Sequence, residues 1–402
     1  MTRLRFVQIS DVHLDSTLTG GRLRLPPARA ARRRRELREV FLRALELARE
    51  RNAHVLLIPG DLFDDESIST DTVNFVIDSL AAFPEIPVIL TPGNHDHYSL
   101  ASPYCGELRA SHGLPPWPAH VRIVSETRFT AFRHPALPDV SFTAMGHDRN
   151  RPLDERLLAA PLPRQGASFQ LLVFHGSRDH FAPSGKMVTL PFSDAELAAQ
   201  GFHYAAIGHY HSFGTVESRG RVIGCYAGCP APRYLDEPGR KFVVTGELRR
   251  EGDAVHVEVD PVRLDPREVG QVRLSVHGAT HRDALLERIA RGVEASGFTP
   301  DDLLLVELTG RLPRGIDPHI PVDFLSDRYF HVAFDTSGLK PDYDLQVYLR
   351  RGFESTEGRF VRDLRGRIEA AEDPEERRLL EAALYYGLDA LIQGEVLPRY
   401  ED

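Results

Sequence analysis

The chain has 402 residues, of which 42% are apolar and 27% charged. That balance excludes a disordered, collagenous or membrane-spanning polypeptide, and at about 150 residues per domain it leaves room for two or three folded units. Acidic residues outnumber basic ones, 58 to 49, for a net charge of −9, which excludes a nonspecific polycation; nucleic-acid contact would need a local basic patch or bound metal ions.

Asp11 interrupts the first apolar stretch before a signal-peptide core forms, and no run approaches the roughly eighteen apolar residues needed to span a bilayer, so the expectation is a soluble, cytoplasmic protein without membrane contact. Cys105, Cys225 and Cys229 lack paired spacing and read as reduced thiols. Short β-rich apolar runs at 4–9, 54–58, 88–90, 141–145, 170–174, 204–207, 222–226 and 241–245 alternate with helical patterns, which predicts a layered α/β domain. Residues 32–51 place Leu37, Val40, Phe41, Ala44, Leu45 and Ala48 at helical spacing, with an arginine-rich wet face opposite; residues 72–83 form a second helix. The pattern breaks at the prolines near 260–267. A smaller module follows, read as strand 272–276, helix 282–295 and strands 303–308 and 330–334. After Tyr343 the chain turns helical, with Asp373 capping a helix whose stripe is Leu380, Leu384, Leu388 and Leu391.

Five of the strand candidates run directly into residue types that bind metals. They are followed by Asp11-x-His13, by Gly60-Asp61, by Gly93-Asn94-His95-Asp96, by His175 and by Gly208-His209-Tyr210-His211. In α/β folds, loops beyond the carboxyl ends of strands converge on one crevice, so these groups are expected to meet. Carboxylate, amide oxygen and imidazole together suit borderline divalent ions such as manganese, iron or zinc, and the lack of thiolates argues against a structural zinc site. An extended backbone would bring both members of each x-spaced pair to one side. Glycine before the ligands suits tight turns or close backbone approach.

This ordered series, spanning residues 10–211, resembles the signature of calcineurin-like metallophosphoesterases. Within that superfamily the chain is most similar to the DNA repair exonuclease branch, the SbcD-type and meiotic-recombination nuclease subunits, on S-D-V-H-L-D, G-D-L-F-D, the small later module and the helical tail. The resemblance implies a four-layer α-β-β-α sandwich over 1–262, an α+β capping domain over 265–345 and a helical tail over 350–402. It also implies that Asp11, His13 and His211 hold one ion and that Asn94, His175 and His209 hold a second, with Asp61 bridging and Mn²⁺ the expected metal, Fe²⁺ or Zn²⁺ being alternatives. His95 would stabilise the transition state or protonate the leaving oxygen, with Asp96 orienting it. Asp64 stands where some of these nucleases carry a second histidine.

The expected partners are DNA and an SMC-like, SbcC-type ATPase gripped by the tail, and many such nucleases form homodimers. Arg22, Arg24 and Arg29, in an arginine-rich segment just after His13, are candidates for phosphate contacts, as are Arg178, Tyr210 and Arg233. Against these stand a solvated helix face for the arginines and a purely structural role for the leucine stripe. A different phosphoesterase (a cyclic-nucleotide phosphodiesterase or protein phosphatase) and a non-catalytic metal-binding scaffold are the competing functions.

Overall fold

A computed structural model describes the chain apart from residues 20–22, 24, 65–67, 148, 150–153, 182–186, 314–315, 352–354 and 394–402. The chain divides into two compact units, Met1–Val269 and Gly270–Asp402. The first is built from β1 (Arg3–Gln8), α1 (Pro27–Glu50), β2 (Val55–Pro59), α2 (Thr70–Ala81), β3 (Val88–Thr91), α3 (Gly106–Ser111), β4 (Val121–Ile123), β5 (Thr130–Phe132) and β6 (Val140–Ala144). It continues through β7 (Phe169–His175), α4 (Asp194–Gln200), β8 (Tyr204–Gly208), β9 (Gly214–Ser218), β10 (Arg221–Tyr226), β11 (Val243–Glu251) and β12 (Ala254–Val262).

These strands form two six-stranded sheets, ordered β12-β11-β1-β2-β3-β4 and β5-β6-β7-β8-β10-β9. The central strands of each run parallel, which lines up their carboxyl ends. Phe6, Leu57 and Ile89 of one sheet and Phe142, Leu171 and Ala206 of the other belong to one buried core between the two. Helix α1 buries Leu37, Val40, Phe41, Ala44 and Ala48, and α4 contributes Leu197 to a second core with Phe174, Phe192 and Ile207. The expected four-layer α/β sandwich is therefore present. Gln8, a polar residue inside the first apolar run, is fully buried. Its amide donates to the carbonyls of Ile207 and Cys225 at 3.2 and 2.9 Å, and its oxygen accepts from Tyr204 at 2.6 Å, pinning the two sheets together beside their carboxyl ends.

The first helix starts at Pro27 rather than near 32, because proline at the first position loses no hydrogen bond. Its arginine face is also less wet than expected. Arg33 is wholly buried and forks onto Asp265, while Arg38 donates to Asp71 at 2.7 Å and Arg43 to the Leu264 carbonyl at 3.0 Å. These arginines act largely as ties between α1 and its neighbours.

The second unit takes in most of β13 (Val269–Ser275), then α5 (Arg282–Glu294), β14 (Leu303–Leu312), β15 (His331–Pro341), α6 (Leu345–Arg351), α7 (Thr356–Ala370) and α8 (Pro374–Gln393). Its sheet is ordered β13-β14-β15, and Leu285, Ile289 and Val293 of α5 join Val306 and Leu308 in its core. Asp373 accepts from the Glu375 N–H at 3.1 Å at the start of α8, as its capping pattern predicts. The leucine stripe belongs mainly to the fold: Leu384 and Leu388 are buried with Val361 and Tyr343, Leu380 packs against them, and Leu391 is exposed. Among the described residues no helix is long and apolar enough to cross a membrane.

Candidate metal centre

The parallel strands end in loops that hold the sequence-predicted ligands in one place. The pairs do not converge by strand alternation, however. Asp11, His13 and Asp61 have φ of 52°, 49° and 51°, and His209 has 112°, so left-handed turns, not an extended backbone, aim these side chains. Such conformations cost on the order of 1–3 kcal/mol each and persist only where the surroundings enforce them. Here the enforcement is visible in the backbone bonds from Asp11 N–H to the Gly60 carbonyl (3.2 Å) and from His13 N–H to the Asp61 carbonyl (3.0 Å). Glycine serves both expected purposes: Gly60 takes φ of 93°, and a Cβ on Gly208 would sit 1.9 Å from the Pro59 oxygen.

Asp11, His13 and His211 offer ligand atoms within 4.8 Å of one another, and Asp11, Asp61 and His175 do the same. The Asp61 carboxylate lies 3.6 Å from His13 Nε2 and 3.3 Å from His175 Nε2, between the two groups. Asn94 Oδ1 sits 2.9 Å from His175 Nε2 and 3.2 Å from His209 Nδ1. All seven expected ligands are thus gathered. The donor set also fits cations on a physical test. His13 is completely buried, yet neither ring nitrogen has a hydrogen-bond partner, and two carboxylates, Asp11 and Asp61, are buried beside it.

The electrostatics carry the same demand for positive charge. Burial raises Asp11 and disfavours a charged His175, but the Asp61 and Asp11 carboxylates and the Pro59 carbonyl together outweigh burial at His175 and lift it to about 9. Burial, reinforced by the charge on His175, drops His209 to about 3.

His95 stands at the edge of this group, its ring edge-on to His13 at 4.8 Å between centroids and its side chain 42% exposed. The carboxylate at its Nδ1 is Asp64, at 3.3 Å, and not Asp96. Asp96 is occupied elsewhere: it accepts from the N–H groups of Asp61, Leu62, Phe63 and Gly93 and from the Tyr104 hydroxyl. The expected orienting role therefore passes to Asp64, because Asp96 spends its lone pairs holding the G-D and G-N-H-D loops together.

The six candidate DNA contacts fare differently. Arg22 and Arg24 lie outside the described residues, and Arg29 is half-buried in the first turns of α1. Arg178 forks onto Asp194 at 2.6 and 2.5 Å and donates to the Thr215 carbonyl, clamping α4 to β9. Tyr210 is 2% exposed and packs at tilted angles among Phe181, Tyr226 and His209. Arg233, also 2% exposed, pairs with Asp64 and so backs His95 from beneath. Sequence reasoning missed Glu237, which is buried against His211 Nδ1. It lies in a Leu-Asp-Glu-Pro-Gly turn, and nothing in such a segment signals a buried carboxylate.

Residues 4–213 match the profile of the calcineurin-like phosphoesterases. The chain is 25% identical over 265 residues to YhaO of Bacillus subtilis, described as an uncharacterized metallophosphoesterase; the match covers 64% of this chain and 61% of that one. It is 26% identical over 325 residues to the DNA double-strand break repair protein Mre11 of Methanopyrus kandleri, covering 75% of this chain and 67% of that one. Among solved structures, a dimetal phosphatase from Danio rerio aligns with 65% of this chain and 97% of its own, at 14% identity and a TM-score of 0.39. With its sandwich fold, its ordered ligand motifs and a profile match across more than half its length, the chain belongs to the calcineurin-like phosphoesterase family.

Proposed function

We propose that this protein is a two-metal phosphodiesterase that hydrolyses DNA, with Mn²⁺ as its working ion. The observation that carries the hydrolase reading is the gathering of six further oxygen and imidazole donors around Asp61, with the orphaned imidazole of His13 among them. Asp11, His13 and His211 would hold one ion and Asn94, His175 and His209 the other, with Asp61 serving both. Bound there, such ions activate water and neutralise charge developing on the phosphoryl oxygens.

The remaining chemistry falls to the chain's own side chains. His95 is the exposed acid: with Nδ1 turned to Asp64, Nε2 is the nitrogen placed to donate a proton to the leaving oxygen. The Asp64 hydrogen bond raises the affinity of His95 for its proton despite burial, which keeps the ring ready to act as a donor. Arg233 in turn fixes Asp64. Asp96 sets the spacing between the Asp61 and Asn94 loops by taking amide hydrogens from both.

DNA as the substrate is supported by the similarity to the Mre11 repair protein, whose alignment runs well beyond the family's 4–213 core. An SMC-like, SbcC-type ATPase as partner and a homodimer belong to the same reading. The deciding experiment is a substrate panel with Mn²⁺: linear DNA, a cyclic nucleotide, a phosphopeptide and a small aryl phosphodiester. Shortening of DNA that disappears in His95→Ala supports the proposal. Turnover of only the cyclic nucleotide or phosphopeptide would replace it with another phosphoesterase, and inertness toward all four with a scaffold.

A further inference from the structure

The four imidazoles expected to bind ions differ in what rests on their other ring nitrogen. His175 turns Nδ1 to the Pro59 carbonyl at 3.0 Å, and His209 turns its two nitrogens to the Asn94 amide oxygen and the Met187 carbonyl. Neither ring nitrogen of His13 has a hydrogen-bond partner. Among the described residues, His211 alone of the four sets a ring nitrogen, Nδ1, against a carboxylate outside the ligand set, that of Glu237.

Glu237 is itself held firmly. It is 7% exposed, and its second oxygen accepts from the Arg233 N–H at 3.1 Å and lies 3.8 Å from the Cys229 sulfur. The same stretch of chain grips the backbone of His211. Its carbonyl accepts from the Cys229 N–H at 3.3 Å and from Lys241 Nζ at 3.2 Å, and both of those residues are buried. Residues 229–241 thus fix His211 at its ring and at its carbonyl.

A carboxylate only accepts, so the hydrogen between Glu237 and His211 resides on Nδ1, and the ring's lone pair is left on Nε2, available to the site that His211 shares with Asp11 and His13. A charged acceptor also makes the imidazole a stronger donor than a neutral carbonyl does. We infer that Glu237 is a positioning residue that fixes the tautomer of His211 and sets the affinity of the Asp11, His13 and His211 site for its ion. The inference rests on the two-ion reading above and deepens it.

The test uses the full chain stripped of metal, with Mn²⁺ binding followed by the electron paramagnetic resonance of the free ion. The wild type should bind in two steps, and Glu237→Gln should weaken one of them by about 10–100-fold while the other stays as it was. His209→Gln should weaken the opposite step, which assigns each step to its site. Two unchanged steps in Glu237→Gln overturn the inference and leave the two-ion reading intact. A wild type that binds no Mn²⁺ overturns that reading and the inference with it.

If Glu237→Gln does not fold, nitrogen-15 spectra of the wild-type histidines decide: His211 protonated at Nδ1 supports the assignment and protonation at Nε2 overturns it. Because Cys229, Glu237 and His211 also lie close enough to share an ion, cobalt loading supplies a further check. A thiolate-to-cobalt absorption band would place the metal on Cys229 and overturn the assignment.

Discussion

Five donors converge on the Asp96 carboxylate: four backbone amides from the loops after β2 and β3, and the hydroxyl of buried Tyr104. Replacing it with alanine strands those donors where water does not reach, so Asp96→Ala should cost about 3–5 kcal/mol in urea denaturation. Tyr104→Phe removes one charge-assisted bond and should cost about 1.5–3 kcal/mol. Equal losses in the two variants would show that the amides find other acceptors. Gly208→Ala tests close approach instead, since its Cβ would fall 1.9 Å from the Pro59 oxygen and 2.8 Å from His175 Nδ1. It should lose about 1–3 kcal/mol of stability and some Mn²⁺ affinity together, because the Pro59 carbonyl that must move also holds the His175 ring. The seven ligand positions were legible because each directly follows an apolar run and parallel sheets bring such loops to one edge. The partners of those ligands were not. Asp64 and Glu237 act through contacts roughly 30 residues away along the chain, and a carboxylate that will be buried has the same one-letter code as one that will be solvated.

The two sheets repeat one small device where a pair of strands begins. His54, just before β2, donates its N–H to the Arg5 carbonyl and accepts the Arg5 N–H on Nδ1 at 2.9 Å. His203, just before β8, does the same with Gln170, its Nδ1 again 2.9 Å from the amide. Each imidazole extends its parallel ladder by a step, and each must be unprotonated at Nδ1 to do so. Burial lowers both, His203 to about 4 with help from Arg250 and Arg164. Below the ordinary histidine value of about 6.5 the unfolded chain takes up protons that the folded ring refuses. Stability therefore falls as pH drops from there to about 4 and is fully present above that window. His203→Asn should flatten this slope, read as urea midpoints at successive pH values; a slope equal to the wild type's would remove His203 from the account. The short edge strands β4, β5 and β9 are not legible in the sequence. Their faces are half-exposed and carry Arg, Thr and Glu, so neither an apolar run nor clean alternation marks them, whereas the longer edge strand β12 does carry the period-two signal, Val255, Val257 and Val259 alternating with His256, Glu258 and Asp260.

Each of the two units carries a core of its own. Phe6, Phe142 and Leu171 anchor the first, and Leu285, Ile289 and Val306 the second, while α7 and α8 close a third cluster around Leu384 and Leu388. Every candidate ligand, with His95, Asp64, Asp96 and Glu237, lies before residue 269. A chain ending at residue 269 should therefore melt in one cooperative transition and retain both Mn²⁺ binding steps, since among the described residues the second unit adds no donor to the ligand clusters. Its turnover of a small aryl phosphodiester should stay within about twofold of the full chain's, whereas its cleavage of long linear DNA should drop at least tenfold if residues 270–402 help to engage that substrate. The ratio of the two rates, rather than either alone, is the measurement that matters, because partial misfolding lowers both in proportion and leaves the ratio unchanged. Equal retention of both activities would confine DNA recognition to the sandwich, and would turn attention to its exposed arginines, Arg35 of α1 among them.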